Sequence, residues 1–342
     1  MKTKNKVLSF VTSVAMAGTA SFAQATEEEF TLRVADSFPL SHIYVDVNKQ
    51  WMDRIEELTE GQVTFEYYPA EQLAKSQDLL DAAVNGVSHI SYVAPLYVSS
   101  RAPLSTVAAI PLVGNVSDHV ELSQSYWDLA IDELNEHEYL PQGVRVIRAG
   151  VTPAYQMMTV KDPVTTIDDL KGLKIRSSGG IQEESVEALG AIPVGIPAPD
   201  LYPALQRGTI DGVVFNIPSS GGYKLQELLG HVTTNVNLGV FPVLYVINEN
   251  LWQEFPEDIK DAFMTAGSEM VAIDAAAYTK NYEVMEEEYA KHDVNTYELS
   301  SDELSKWSET LKPVQEAWVK NLEDNGLPAE KVFQTWEESL TK

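Results

Sequence analysis

The 342-residue chain contains no cysteine. That excludes a disulfide scaffold, a thiol nucleophile, an iron–sulfur cluster and any thiolate zinc site. Positive charge is scarce as well: 24 Lys and Arg stand against 51 Asp and Glu, a formal net charge of −27. A chain this acidic has no basic surface with which to hold nucleic acid or an anionic membrane non-specifically. Beyond the N-terminus there is no long apolar run, the densest stretch, Val240 to Ile247, being of strand length. G-x-S-x-G, H-E-x-x-H, P-loop and His-x-His patterns are all missing. The histidines, His42, His89, His119, His137, His231 and His292, never fall within a helical turn of one another. Carboxylates are too numerous for a catalytic pair to be singled out. No catalytic set, metal site or cofactor is expected, and nothing specifies an enzyme. What is present, 44% hydrophobic residues over this length, supports a packed core in two domains or one large one.

The first 25 residues read as a unit of their own. Lys2, Lys4 and Lys6 precede an apolar stretch from Val7 to about Ala20, and small residues then end in Ala23-Gln24-Ala25, an A-x-A cleavage pattern. This is the pattern of a secretory signal peptide, residues 1–25. A membrane anchor fits less well, because a span needs about 20 predominantly apolar residues and Ser9, Thr12, Ser13 and Thr19 interrupt this one. Cleavage near Ala25 leaves 21 basic against 51 acidic residues, a net charge of −30. The expected product is an exported, soluble, acidic periplasmic protein.

Periodicity then alternates between two and 3.6. Thr31 to Asp36 reads as a strand, Trp51, Met52, Ile55 and Leu58 as a helix ending before Gly61, and Val63, Phe65 and Tyr67 as a strand stopped by Pro69. A helix through Leu79, Leu80, Ala83 and Val84 leads to a strand at His89 to Val93. The pattern restarts after a helix around Tyr126 to Leu134, with strands at Gly143 to Arg148 and Leu173 to Arg176. Helices at Gln182 to Leu189 and Pro199 to Arg207 end at Gly190 and Gly208, and a strand follows from Ile210 to Phe215. The fold class is α/β, with parallel strands, helices on both faces and two lobes whose mutual cleft is the default ligand site. From Glu257 to His292 there is no proline, and Ile259, Phe263, Ala266, Met270, Ile273 and Ala277 recur at alternating spacings of four and three. One helix of that extent would be about 54 Å long, more than one small lobe. Its apolar stripe fails at Lys280 and Asn281 and returns at Val284, where it would cross between lobes. Two helices broken at Gly267 are the alternative, since glycine costs about 1 kcal/mol in a helix interior.

The sharpest chemical feature is Gly172-Leu173-Lys174-Ile175-Arg176-Ser177-Ser178-Gly179-Gly180 ahead of a helix. Arg176 falls at the carboxyl end of a strand, where Ser177 to Gly180 can turn the chain and cap the next helix. A guanidinium beside a helix N-terminus suits an anion and can fork onto a carboxylate, as lysine cannot. A structural salt bridge from Arg176 to one of the many acids is the competing reading.

The runs DDLKGLKIRSSGG (Asp168 to Gly180) and EALGAIPVGIPAPDLYPALQRGTIDGV (Glu187 to Val213) resemble the solute-binding proteins of tripartite ATP-independent periplasmic (TRAP) transporters. So do VTFEYYPAEQL (Val63 to Leu73), SHISYVAPLY (Ser88 to Tyr97) and LYVINENLW (Leu244 to Trp252). The resemblance covers nearly the whole mature chain. It implies a two-lobed periplasmic binding protein fold with crossing hinge strands and a long helix spanning both lobes. Residues 27–150 plus 239–277 would make lobe I, and 151–238 plus 278–342 lobe II. It also implies capture of a small organic acid by hinge closure, with Arg176 as the carboxylate anchor, and delivery to a permease of small and large membrane subunits driven by an ion gradient. The receptor would act as a monomer.

Departures from the family pattern bear on the ligand. Many members with dicarboxylate or sialic-acid ligands have a second arginine eight residues before the position of Pro163-Val164, where this chain has Tyr155. The D-G-x-x-N pattern here carries Phe215 in place of asparagine, with Asn216 one later. Tyr155 offers a hydroxyl and a π-face but no charge, which points to a monocarboxylate, with an apolar or aromatic body. Gln72 resembles the glutamine of the family's P-x-G-Q-L stretch but follows Glu71, which would pair a ligand ammonium or simply be exposed. Further wall candidates are Phe38, His42, Tyr92, Tyr97 and Phe241, whereas Tyr202 is assigned to packing. Competing functions are a secreted hydrolase or lyase acting on a carboxylate in the same cleft, and a receptor serving an ATP-driven importer or a sensor kinase.

Overall fold

The computed structural model describes residues 29–113 and 118–340, so the export signal expected at residues 1–25 lies outside the described residues. Its strands are β1 (Phe30–Ala35), β2 (Val63–Tyr68), β3 (Ile90–Val93), β4 (Val144–Val151), β5 (Gln156–Thr159) and β6 (Lys174–Ser177), then β7 (Ile192–Gly195), β8 (Gly212–Phe215), β9 (His231–Thr233), β10 (Pro242–Asn248) and β11 (Asn295–Tyr297). They form two sheets, one ordered β2-β1-β3-β10-β4 and the other β11-β9-β5-β8-β6-β7. Each sheet is the centre of one lobe of a two-lobed α/β fold.

Local chemistry explains most element boundaries. The helix Ile43–Leu58 buries Tyr44, Val45, Val47, Asn48, Trp51, Met52 and Ile55 on one face. It starts where the His42 ring accepts from the Tyr44 N–H, and stops where the Thr59 hydroxyl turns back to the Ile55 carbonyl, 2.8 Å away. The helix foreseen at Tyr126 to Leu134 is longer, His119–Leu129, and continues as a wide-turned π helix through Ala130–Tyr139. Ser177 and Ser178 do not cap the helix Ile181–Ala188; its N-cap is Gly180, at φ +55°, with no side-chain hydrogen bond.

The sheets are mixed, against the expectation of purely parallel strands. β1 runs parallel to β2 and β3, and β6 parallel to β7 and β8, but β10 is antiparallel to β3 and β4, and β5 to β8 and β9. β5 and β10 each enter their sheet from a segment that crosses between lobes. No helix of the same lobe carries the chain back beforehand, and that return is what makes neighbouring strands parallel. The crossing segments pair with each other: Thr152 N–H donates to Phe241 O, Tyr155 N–H to Gly239 O, and Leu238 N–H to Tyr155 O, at 2.9–3.1 Å.

Residues 257–291 form one uninterrupted 35-residue helix. Gly267 does not break it. A Cβ there would collide with the Ile147 carbonyl of β4 and come within 2.8 Å of the Trp127 ring, so glycine serves close approach of helix to sheet. The same contact region is locked by chemistry. Arg148 of β4 pairs with Asp274 of the helix at 2.6 Å, both fully buried, donates to Asn48 Oδ1 at 2.8 Å, and lies over the rings of Tyr44, Trp51 and Tyr245. Beyond Tyr278 the helix meets the second lobe, where Asn281 donates to Pro218 O and Met285 packs on Gly221. The buried stripe resumes at Met285 and Tyr289; Val284 itself is exposed. The later helix Ser301–Asp324 runs from the second lobe to the first, where Trp318 donates to Thr106. The closing helix Ala329–Ser339 packs there on His119–Leu129. Among the described residues no helix is long and apolar enough to cross a membrane.

Candidate functional site

The site lies between the lobes at the carboxyl ends of β1 and β3 on one side and β6 and β8 on the other, where parallel strands deliver their following residues. A small cavity of about 20 Å³ is lined by Phe38, His42, Tyr92 and Tyr97 from the first lobe, and by Ala198, Phe215, Asn216, Ser219 and Tyr223 from the second. Thr152, Tyr155, Phe241 and Val243 come from the crossing segments, and Tyr278 from the long helix. A wider mouth of about 460 Å³, which shares Tyr223, opens outward past Ser41, Glu71, Tyr202 and Lys224.

Arg176 ends β6, with no exposed surface. Its Nε donates to Ile196 O at 2.7 Å, its Nη1 to Val214 O at 3.2 Å, and its Nη2 to the Tyr97 hydroxyl at 3.4 Å, while its guanidinium carbon stands 5.6 Å from the centre of the Phe215 ring. No carboxylate pairs with it among the described residues, so the structural salt bridge that competed with the anchor reading is not made. A buried cation facing only neutral dipoles is poorly compensated, and the missing element is an anion.

The walls are aromatic. Tyr155 lies parallel to Phe241, centroids 5.9 Å apart, and tilts against Phe215 at 5.5 Å. Burial pushes the pKa of its hydroxyl well above the ordinary tyrosine value, with the neighbouring Arg176 pulling the other way. Phe38 stacks on His42 at 4.6 Å and packs on Tyr92 at 4.7 Å. Tyr97 reaches across the cleft, its hydroxyl accepting from Ala198 N at 2.9 Å as well as from Arg176. Asn216 uses its Oδ1 to cap the short helix Ile217–Ser220. Further contacts hold the lobes together: Ser41 Oγ donates to Gly222 O at 2.8 Å, and Gly179 approaches Leu96 O so closely that a Cβ would sit 2.8 Å from it.

Of the residues singled out in the sequence, Phe38, His42, Tyr92, Tyr97, Tyr155, Phe215, Asn216 and Phe241 line this one cavity, and Arg176 abuts it. Gln72 does not join them; it lies exposed on a turn after Pro69. Glu71 is engaged elsewhere, since Ser76 donates to it at 2.7–2.8 Å and Lys75 pairs with it at 2.7 Å. Burial acts to raise the Glu71 pKa, yet these bonds hold it below the ordinary carboxylate value. His42 is a wall and a helix cap at once, its pKa pushed down to about 3 by burial. Tyr202 is not a core residue: half-buried at the cleft mouth, it donates to Glu227 at 2.7 Å. Sequence reasoning missed Thr152, Ala198, Ser219, Tyr223, Val243 and Tyr278. The one available signal was that Tyr278 stands just where the long helix loses its stripe.

A model of the bacterial extracellular solute-binding proteins, family 7, matches residues 35–321. A solute-binding protein of Sulfitobacter sp. strain NAS-14.1 is 28% identical over 329 residues, which cover 93% of this chain and 95% of that protein. Among solved structures, a marine metagenome TRAP solute-binding protein specific for aromatic acid ligands, in complex with metahydroxyphenylacetate, superposes with a TM-score of 0.84 at 21% identity, over 92% of this chain and 99% of the other. A TRAP solute-binding protein from Rhodoferax ferrireducens T118 in complex with copurified benzoate gives a TM-score of 0.82 at 24% identity, over 91% and 97%.

Proposed function

The chain belongs to the DctP family, the bacterial extracellular solute-binding proteins of family 7, and on that premise we propose that it is a periplasmic TRAP receptor for a small organic monocarboxylate with an aromatic body. The observation that carries this reading is Arg176, a fully buried guanidinium that meets no carboxylate among the described residues and stands against Tyr97 and the Phe215 ring. An entering carboxylate supplies the countercharge, and closure of the lobes strengthens the pair by excluding water. Tyr155, at the position where many relatives with dicarboxylate or sialic-acid ligands carry a second arginine, provides no second cation, so a ligand with one carboxylate suits the site better than one with two. The ring faces of Phe215, Tyr155, Phe241 and Phe38 supply apolar contact. The two fold neighbours above bind aromatic acids, which agrees with this wall.

The rest of the assignment follows from the same premise. Residues 27–150 plus 239–277 form lobe I and 151–238 plus 278–342 lobe II, with the closing helix returning to rest on the first. Signal cleavage near Ala25 releases a monomer that delivers its ligand to the small and large permease subunits. No cofactor takes part. Among the described residues no Asp or Glu lines the inner cavity, so a hydrolase or lyase working through a pair of carboxylates finds none there.

The test is thermal-shift screening of the mature protein against aromatic and aliphatic monocarboxylates, dicarboxylates, sugar acids and amines. At ligand a hundredfold above Kd, stability rises by about 2.7 kcal/mol. The expected hits are monocarboxylates, recovered chemically unchanged after incubation. Hits confined to dicarboxylates would overturn the role given to Tyr155, and turnover of the ligand would overturn the receptor assignment.

A further inference from the structure

The hydroxyl of Tyr97 spans the cleft with its oxygen engaged and its proton uncommitted. Tyr97 belongs to the short turn Pro95–Val98 of the first lobe. Its oxygen accepts from two groups of the second lobe, the Ala198 N–H at 2.9 Å and Arg176 Nη2 at 3.4 Å. A phenol also has one proton to donate, and Tyr97 donates it to no acceptor among the described residues. Burial raises the pKa of this hydroxyl, and the charge of Arg176 works against burial without cancelling it, so the proton stays in place at neutral pH. The ring packs on Phe241, centroids 5.6 Å apart, and lines the inner cavity.

Resting on the reading that Arg176 holds a ligand carboxylate, we propose that the Tyr97 hydroxyl donates its proton to that same carboxylate, and so is the residue through which the first lobe recognises the anion. Anchor and hydroxyl stand 3.4 Å apart, so an oxygen that accepts from one lies within reach of the other. The two also match in kind. An ionised carboxylate only accepts, a guanidinium only donates, and the Tyr97 oxygen, already accepting from Ala198 and Arg176, has its proton left to offer. An amide or ammonium in that place would turn donors towards donors, which makes Tyr97 a determinant of carboxylate specificity. The ion pair ties the ligand to the second lobe and the Tyr97 proton ties it to the first. At about 20 Å³ the inner cavity has room for about one water, so the acid enters with the lobes further apart and meets Tyr97 as they close.

The experiment is calorimetry with benzoate, phenylacetate and 3-hydroxybenzoate on the mature protein and its Y97F variant, joined to infrared spectroscopy of the tightest of these acids labelled with carbon-13 at the carboxylate. Y97F keeps the ring and removes only the hydroxyl. Affinity should fall by about tenfold to a hundredfold, the range for a hydrogen bond to a charged group, and the carboxylate stretch of the bound acid should shift between wild type and variant. A hydroxyl that merely holds Ala198 and steadies closure would weaken binding and leave the stretch where it was. That result overturns the inference, as does an affinity that is unchanged or tighter in Y97F. In each of these cases wild type still binds the acid, and loss of that binding in Arg176→Met keeps the Arg176 reading standing. If none of the three acids binds wild type, both readings fall. If Y97F does not fold, proton NMR of wild type decides: the bound acid should slow exchange of the Tyr97 hydroxyl proton, and an exchange rate that is the same with and without acid overturns the inference.

Discussion

Replacing Arg176 by methionine should separate binding from stability. The guanidinium is fully buried and its hydrogen bonds go to two carbonyls and a tyrosine hydroxyl, so the unliganded protein carries a desolvated cation with no countercharge. Removing that charge relieves a desolvation cost of several kcal/mol. It also strips a donor from Ile196 O and Val214 O, at about 1–3 kcal/mol for each buried group left unpaired. The two effects oppose each other, and the unliganded variant should unfold within about 2 kcal/mol of wild type. Binding behaves differently. A unit charge pair at about 4 Å in an effective dielectric of about 20 is worth about 4 kcal/mol, and truncating one partner of a buried pair costs roughly 2–5 kcal/mol. Affinity for the tightest monocarboxylate should therefore fall about thirtyfold at the least and several thousandfold at the most. Calorimetry reads the affinity and urea unfolding the stability. A binding loss below about 0.5 kcal/mol in a folded variant refutes the anchor. Destabilisation of about 3–5 kcal/mol, as for a broken buried ion pair, would instead make Arg176 a structural residue.

Other outcomes follow from the packing. Gly267→Ala places a methyl against the Ile147 carbonyl and the Trp127 ring, where backbone cannot yield, and should destabilise by about 1–3 kcal/mol in urea unfolding. Arg148→Met or Asp274→Leu alone should each cost about 3–5 kcal/mol, whereas the double replacement should cost less than either, since no charge is then left unpaired; additive losses would contradict the buried pair. Burial pushes the pKa of Asp36 up to about 6, against bonds from Tyr67, Phe38 N–H and Asn48, and that of Glu138 up to about 7, against Ser105 and Leu104 N–H. Both folded values lie above the unfolded ones, so between about pH 4 and 7 the folded state takes up protons first, and their contribution to stability grows as pH falls. Unfolding midpoints should rise from pH 7.5 to 5.5, and Glu138→Gln should flatten that rise; an unchanged slope would remove Glu138 as its source.

Much of the fold was legible because it depends on local periodicity. Val63, Phe65 and Tyr67 alternate as β2 does, and Ile259 to Met270 keep to one helical face, so element type and order could be read directly. Arg176 could be read as an anion anchor because a strand end and the turn after it are local features. The directions of β5 and β10 could not, because they depend on which lobe the chain has just left. Gly267 looked like a helix breaker and proved to be a contact surface, since the deciding neighbour, Ile147, lies 120 positions away. Gln72 matched a motif yet faces solvent, because a motif position says nothing about which side of a turn reaches the cleft.

By itself, then, the sequence determined the α/β alternation, the long helix, the export signal expected at its start and the residue types available for an anion. Each of these is written in neighbouring residues, through side-chain period, capping and charge. Only the tertiary structure decided that Arg176 has no acid partner among the described residues and that Tyr223 and Tyr278 complete the cavity. Those facts concern what lies opposite a side chain once distant segments close on each other, and burial gives them their energetic weight. A guanidinium or hydroxyl that water would satisfy at the surface must, inside the cleft, be satisfied by the protein or by its ligand.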